Sequence, residues 1–68
     1  MRDYIVSKPD PFELADTYGI TREDLAVHIG VTPRRLREMV RDYRHAGRVR
    51  RAVLEVALER ERLAGLLP

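Results

Sequence analysis

Apolar residues recur at helical spacing in four stretches of this chain, and three of the stretches open on a residue able to cap a helix. Asp10-Pro11-Phe12-Glu13 offers a cap, a proline at the first helical position and a carboxylate three residues after the cap. Thr21-Arg22-Glu23-Asp24 repeats the pattern with Asp24 in the acidic place, whereas Thr32-Pro33-Arg34-Arg35 follows cap and proline with positive charge. Gly19, Gly30, Gly47 and Gly65 stand where each helix should end in a left-handed residue. The pattern predicts helices over about 11–18, 22–29, 33–45 and 48–63. The fold class is therefore all-α: a single small domain, 1–68, of four helices within a range of three to five. Residues 1–9 read as a short extended N-terminal arm, with Tyr4-Ile5-Val6 as a strand or an apolar lid on the first helix, and Lys8 extended because Pro9 follows it.

The third helix carries the clearest two-sided pattern. Leu36, Met39, Val40 and Tyr43 fall at i, i+3, i+4 and i+7, a single apolar stripe. Opposite it lie Arg34, Arg37, Glu38, Arg41 and His45, with Glu38 in reach of Arg34 or Arg41. Arg35 and Arg44 flank the stripe. In the fourth helix Val49, Ala52, Val53, Val56, Ala57, Leu63 and Ala64 make one inward face. Leu54 and Leu58 widen that face beyond a single stripe, and together with Leu66 and Leu67 they are left looking for a partner, for which a homodimer is the natural choice. The alternative is that all of them belong to an intramolecular core.

A chain of 68 residues buries only about 60% of its unfolded surface, so its core is small. There is no cysteine, hence no disulfide or thiolate zinc site, and two separate histidines without grouped carboxylates give no expected metal or cofactor site. No apolar run reaches membrane-spanning length and no signal-peptide or lipidation pattern is present, which points to a cytoplasmic protein without a membrane partner. Charge is distributed unevenly. Residues 1–33 carry three basic and six acidic side chains, residues 34–51 eight and two, residues 52–68 two and three. A block of arginine confined to one segment is the footprint expected of phosphate binding, a solvated helix face being the plainer explanation. The arginines also sit where the helix dipole disfavours them, and an anion docked at that N-terminus would reverse the effect.

Between the second and third helices the chain reads LAVHIGVTPRRLREM. Leu25, Ile29, Val31, Leu36 and Met39 point inward from two helices that cross steeply, Ala26 is small where the third helix passes over it, and Gly30 supplies the positive φ of a tight turn. From Thr21 to Arg41 the chain resembles the lambda-repressor-like helix-turn-helix domains of phage repressors, Cro-type proteins and small bacterial regulators. GRVRRAVLEVALE is similar to the arginine-containing loop and helix that follow the recognition helix in many of them, and the helix from Asp10 to Gly19 takes the place of their first. Arg22 stands where many members have a glutamine. GVTPRRLR also resembles the opening of MerR-like winged helices.

The resemblance implies a helix-turn-helix at about 21–45 whose recognition helix enters the major groove of double-stranded DNA. Thr32, Pro33, Arg34, Arg37, Glu38 and Arg41 become the candidate DNA face. Arg34 and Arg37 suit guanine edges, because a guanidinium bonds O6 and N7 together, and Arg41 stands beside them as a base or phosphate contact. Glu38 suits cytosine N4 or an intrahelical arginine. Arg22, Thr32, Arg35, Arg44, Arg48, Arg50 and Arg51 are the phosphate candidates, with Thr32 first a cap. The expected function is sequence-specific DNA binding by a small dimeric transcriptional regulator, such as a repressor. The alternative is a protein-interaction module whose arginines meet acidic side chains of RNA polymerase, a toxin or a phage assembly component. Ser7, His28 and His45 have no partners at catalytic spacing, so an enzyme is not expected.

Overall fold

A computed structural model of the chain describes residues 9–65. They form four helices: α1 (Pro11–Thr17), α2 (Arg22–Ile29), α3 (Pro33–Arg41) and α4 (Tyr43–Gly65), with no strand among the described residues. The expected arm, with Tyr4-Ile5-Val6 and Lys8, lies outside the described residues, as do Leu66 and Leu67.

The caps read from the sequence hold the first three helices. Phe12 and Glu13 N–H donate to Asp10 Oδ2 at 3.1 and 3.3 Å, Asp24 N–H to Thr21 Oγ1 at 3.0 Å, and Arg35 N–H to Thr32 Oγ1 at 3.1 Å. Each oxygen satisfies first-turn donors that have no partner inside the helix. α1 ends in a Schellman arrangement: Gly19 adopts φ 68° and its N–H donates to Asp16 O at 3.1 Å, while Ile20 N–H reaches back to Ala15 O at 2.9 Å. Ile20 and Ala15 are both buried, so the turn also carries the apolar contact that accompanies this motif. Gly30 ends α2 with φ 89°.

The third and fourth helices depart from the expected boundaries. α3 stops at Arg41, and Asp42 leaves helical geometry with φ −97° and ψ 115°. It then starts α4: Arg44 N–H donates to Asp42 Oδ1 at 2.9 Å, and His45 and Ala46 N–H donate to its carbonyl at 2.8 and 2.9 Å. Gly47, expected as a helix stop, is inside α4, and Gly65 is the last residue of that helix without a positive φ. The reason is the direction of burial. Leu36 and Met39 are buried on α3, and Val49, Ala52, Val53 and Val56 on α4. On one straight helix these two sets would face directions roughly 120° apart, so the chain must turn between them.

The turn moves several side chains from their expected places. Tyr43 is 88% exposed on the first turn of α4 rather than part of the α3 stripe, and Arg44 and His45 belong to the start of α4 rather than the end of α3. Leu63 and Ala64, expected inward, are exposed. α4, with 23 residues, spans about 34 Å and outruns the helices of seven to nine residues packed along it.

α4 packs against α1, α2 and α3, and α2 against α3. The core is Ala15, Ile20, Leu25, Ala26, Leu36, Met39, Val49, Ala52, Val53 and Val56, with Phe12, Leu14, Ile29, Val31, Val40 and Ala57 partly buried around it. Ala26 is 2% exposed between α2 and its neighbours, as its size required. No polar or charged residue is buried among the described residues, so the fold rests on apolar packing.

Among the described residues Gly47 has no packing reason, since a Cβ there would meet only the flexible end of Arg50, Nη2 at 3.6 Å. Glycine in a helix interior costs about 1 kcal/mol relative to alanine.

Candidate nucleic-acid interface

The local chemistry at the start of α3 sets the site. Thr32 caps it, Pro33 opens it, and no acidic residue stands in its first turn. The positive end of the helix dipole is therefore crowded by Arg34 and Arg35, a conflict worth a few tenths of a kcal/mol per charge. Leu36 and Met39 anchor the opposite face in the core, which turns Arg34, Arg37, Glu38 and Arg41 outward.

Glu38 pairs with Arg35, Oε1 to Nη1 3.4 Å, rather than with Arg34 or Arg41 as expected. Both partners are exposed and the contact is long, so it holds little energy. Arg34, Arg37 and Arg41 are exposed and form no ion pair among the described residues. Among the described residues the face is a row of guanidinium groups without carboxylate partners.

Arg22 joins this face from α2. Its guanidinium lies over the Phe12 ring, 4.4 Å from the centroid, a cation–π contact that braces the side chain against α1. Arg22 and Arg37 line one shallow groove between the N-terminal ends of α2 and α3, together with Pro33, Thr21, Ile20, Asp16 and Glu23. Two carboxylates, Asp16 and Glu23, thus balance the two arginines of this groove.

The remaining arginines are arranged differently. Arg44 is bound to Asp42, Nη2 to Oδ2 2.9 Å and Nε to Oδ1 3.2 Å. Those side-chain bonds, with the backbone N–H of Arg44, hold the Asp42 carboxyl down at about 2, and the same pairing raises the Arg44 guanidinium. Arg48 and Arg51 line a separate groove with His28, Ile29, Ala52 and Glu55, beside the C-terminal end of α2. Arg50 is half-buried on α4. The arginine block of the sequence is therefore two surfaces: an α3 face joined by Arg22, and an α4 flank at the other end of α2.

Three features escaped the sequence pattern. Asp42 is a helix cap inside what reads as one long helix; its residue type was the signal. Arg60 donates to Asp24 Oδ2 at 2.7 Å and to the Gly19 carbonyl at 3.3 Å, across 36 and 41 residues, for which periodicity carries no signal. His28 Nε2 lies 3.0 Å from Glu55 Oε1, and His45 Nε2 3.9 Å from Asp42 Oδ2.

Among the described residues no group of three His, Cys, Asp or Glu side chains could hold a metal ion. No described helix is long and apolar enough to cross a membrane. No protein-family model, curated protein or solved structure matches the chain. The fold and the site define a four-helix, all-α domain that presents an arginine-lined short helix on its surface.

Proposed function

We propose that this chain is a sequence-specific double-stranded DNA-binding protein, a small transcriptional regulator in which α2, the turn at Gly30 and α3 act as a helix-turn-helix. The observation that carries the reading is the outward face of α3. Arg34, Arg37 and Arg41 stand on it without a carboxylate partner among the described residues, behind a capped N-terminus that favours anions. The resemblance of Thr21–Arg41 to lambda-repressor-like domains supports the same docking.

In this reading α3 lies in the major groove. Arg34 and Arg37 bond guanine O6 and N7, each pair contributing about 1 to 3 kcal/mol of discrimination. Arg41 extends the row, Arg35 and Arg22 meet flanking phosphates, and Thr32 keeps its capping bond. Glu38 accepts from cytosine N4 when Arg35 swings from it to phosphate. Arg48 and Arg50 add general attraction to the duplex from the α4 flank.

The test is retention of a random duplex library by the full chain across 50 to 200 mM salt (about a halving of the Debye length), beside the R34A/R37A variant. Convergence on a shared motif, lost in the variant, with affinity falling steeply as salt rises, supports the reading. If no duplex is retained at the lower salt, the arginine face serves an acidic protein partner, such as RNA polymerase or a toxin, and the DNA reading fails.

A further inference from the structure

α4 buries one side against the other three helices, and its opposite side repeats with its own regularity. Gly47, Arg51, Leu54, Leu58, Glu61 and Gly65 follow one another at steps of four, three, four, three and four residues. This is the spacing of a coiled-coil a/d seam, with Gly47, Leu54 and Glu61 at d, Arg51, Leu58 and Gly65 at a, and apolar side chains at the two central positions, Leu54 and Leu58. All six are exposed, Leu54 at 44% and Leu58 at 66%. None of them serves the monomer's core.

We propose that this seam is the contact with a second copy of the chain, and that two α4 helices pair antiparallel about a two-fold axis at the level of Val56. The register follows from the residues. In an antiparallel pair an a position meets a d position of the partner, and Gly47 and Gly65, Arg51 and Glu61, and Leu54 and Leu58 are each equidistant from Val56. Leu54 meets the partner's Leu58, Arg51 the partner's Glu61, and Gly47 the partner's Gly65, each contact occurring twice. The apolar pairs sit at the centre, opposite charges bound them, and glycines close both ends where backbones must approach.

At the a and d positions charge favours the antiparallel orientation. A parallel pair in the same register would set Arg51 against the partner's Arg51 and Glu61 against the partner's Glu61. The antiparallel pair turns both repulsions into attractions. Neither Arg51 nor Glu61 has an ion-pair partner among the described residues, and Gly47 acquires the packing reason that the monomer does not supply. The seam reassigns Arg51 from a phosphate contact to the partner's carboxylate. It does not rest on DNA binding, since α3 takes no part in it.

The test is sedimentation of the full chain, without DNA, over about 1 μM to 1 mM, with R51E, E61R and the double variant R51E/E61R. Each single reversal weakens self-association by about tenfold or more, because it creates two like-charge contacts. An equimolar mixture of R51E with E61R restores it as a heterodimer, and the double variant restores it as a homodimer. A wild-type chain that stays monomeric at the highest concentration, or a mixture no stronger than its components, overturns the proposal. Because the chain has no cysteine, L54C and L58C supply a second measurement that does not depend on charge. Mixed and oxidised, they give predominantly the L54C–L58C disulfide, and a predominance of the two homodisulfides overturns the antiparallel register. A failed DNA selection leaves these outcomes untouched.

Discussion

Arg60 near the end of α4 places Nη2 2.7 Å from Asp24 Oδ2 and Nη1 3.3 Å from the Gly19 carbonyl, so one side chain ties the long helix to the first turn of α2 and to the turn that precedes it. Asp24 is the residue that the sequence offers as the acidic member of a capping box. In the fold its N–H is capped by Thr21 while its carboxylate is taken by α4. Both side chains are about half exposed, so solvent screens the pair. Arg60→Ala is expected to cost about 0.5 kcal/mol, with a loss that shrinks as salt rises. Thermal melts at low and high salt check it; a loss independent of salt would mean that the arginine stem, not its charge, matters.

The first turn of α3 holds charges of the wrong sign for its dipole. Arg34→Glu is therefore expected to stabilise the free protein by about 0.3 to 1 kcal/mol, raising the melting temperature by a few degrees in a domain this size. The same change is expected to abolish duplex retention. A variant that melts lower than the wild type would show that Arg34 is not in conflict with the helix, and the physical basis of the anion reading would go with it.

Two glycines separate conformational need from open space. Gly30 sits at φ 89° with nothing near its missing side chain, so Gly30→Ala is expected to destabilise by about 1 to 2 kcal/mol through backbone strain alone. Gly47 is helical, and Gly47→Ala is expected to stabilise the monomer by about 1 kcal/mol while weakening self-association. Denaturant titration of both at low protein concentration reads the opposite signs; equal signs would contradict the geometry.

Asp42 gives the stability a defined acid limb. Its carboxyl is held at about 2 by the bonds from Arg44, below the value of about 3.9 for a free aspartate. Folding therefore gains from this group at any pH above the unfolded value, and the gain is lost as pH falls from about 4 through 2. Asp42→Asn keeps a capping oxygen and removes the charge. Melting temperature against pH from 6 to 2 (a span set by carboxylate titration, about 3.9 unperturbed) should be less steep in this variant than in the wild type. Identical slopes would place the acid sensitivity elsewhere.

The core has little to spare. Leu25 and Leu36 are fully buried in a cluster made largely of alanine and valine. Leu36→Ala is expected to cost about 2 to 5 kcal/mol, against a total of about 3 to 10 kcal/mol for a chain of this length. Circular dichroism near 25 °C should show much of the helix signal lost; a fully helical variant would mean that α3 is not anchored through Leu36.

The bounds of α1 and α2, the start of α3, and the turns at Gly19 and Gly30 were legible in the sequence, because caps, proline and left-handed glycine act within a few residues of themselves. The outward arginines of α3 were legible for the same reason, since Leu36 and Met39 define the buried side by spacing alone. Only the tertiary structure decided the break at Asp42, the inclusion of Gly47 in α4, the exposure of Tyr43 and Leu63, the grip of Arg60 on Asp24, and the division of the arginine block into two surfaces. These depend on which side of one helix finds a neighbour. Leu36 and Met39 must meet the same core as Val49, Ala52, Val53 and Val56, and a straight helix cannot turn both sets toward it. The chain bends where an aspartate can cap the new start, and the charges beyond the bend are carried to a different face.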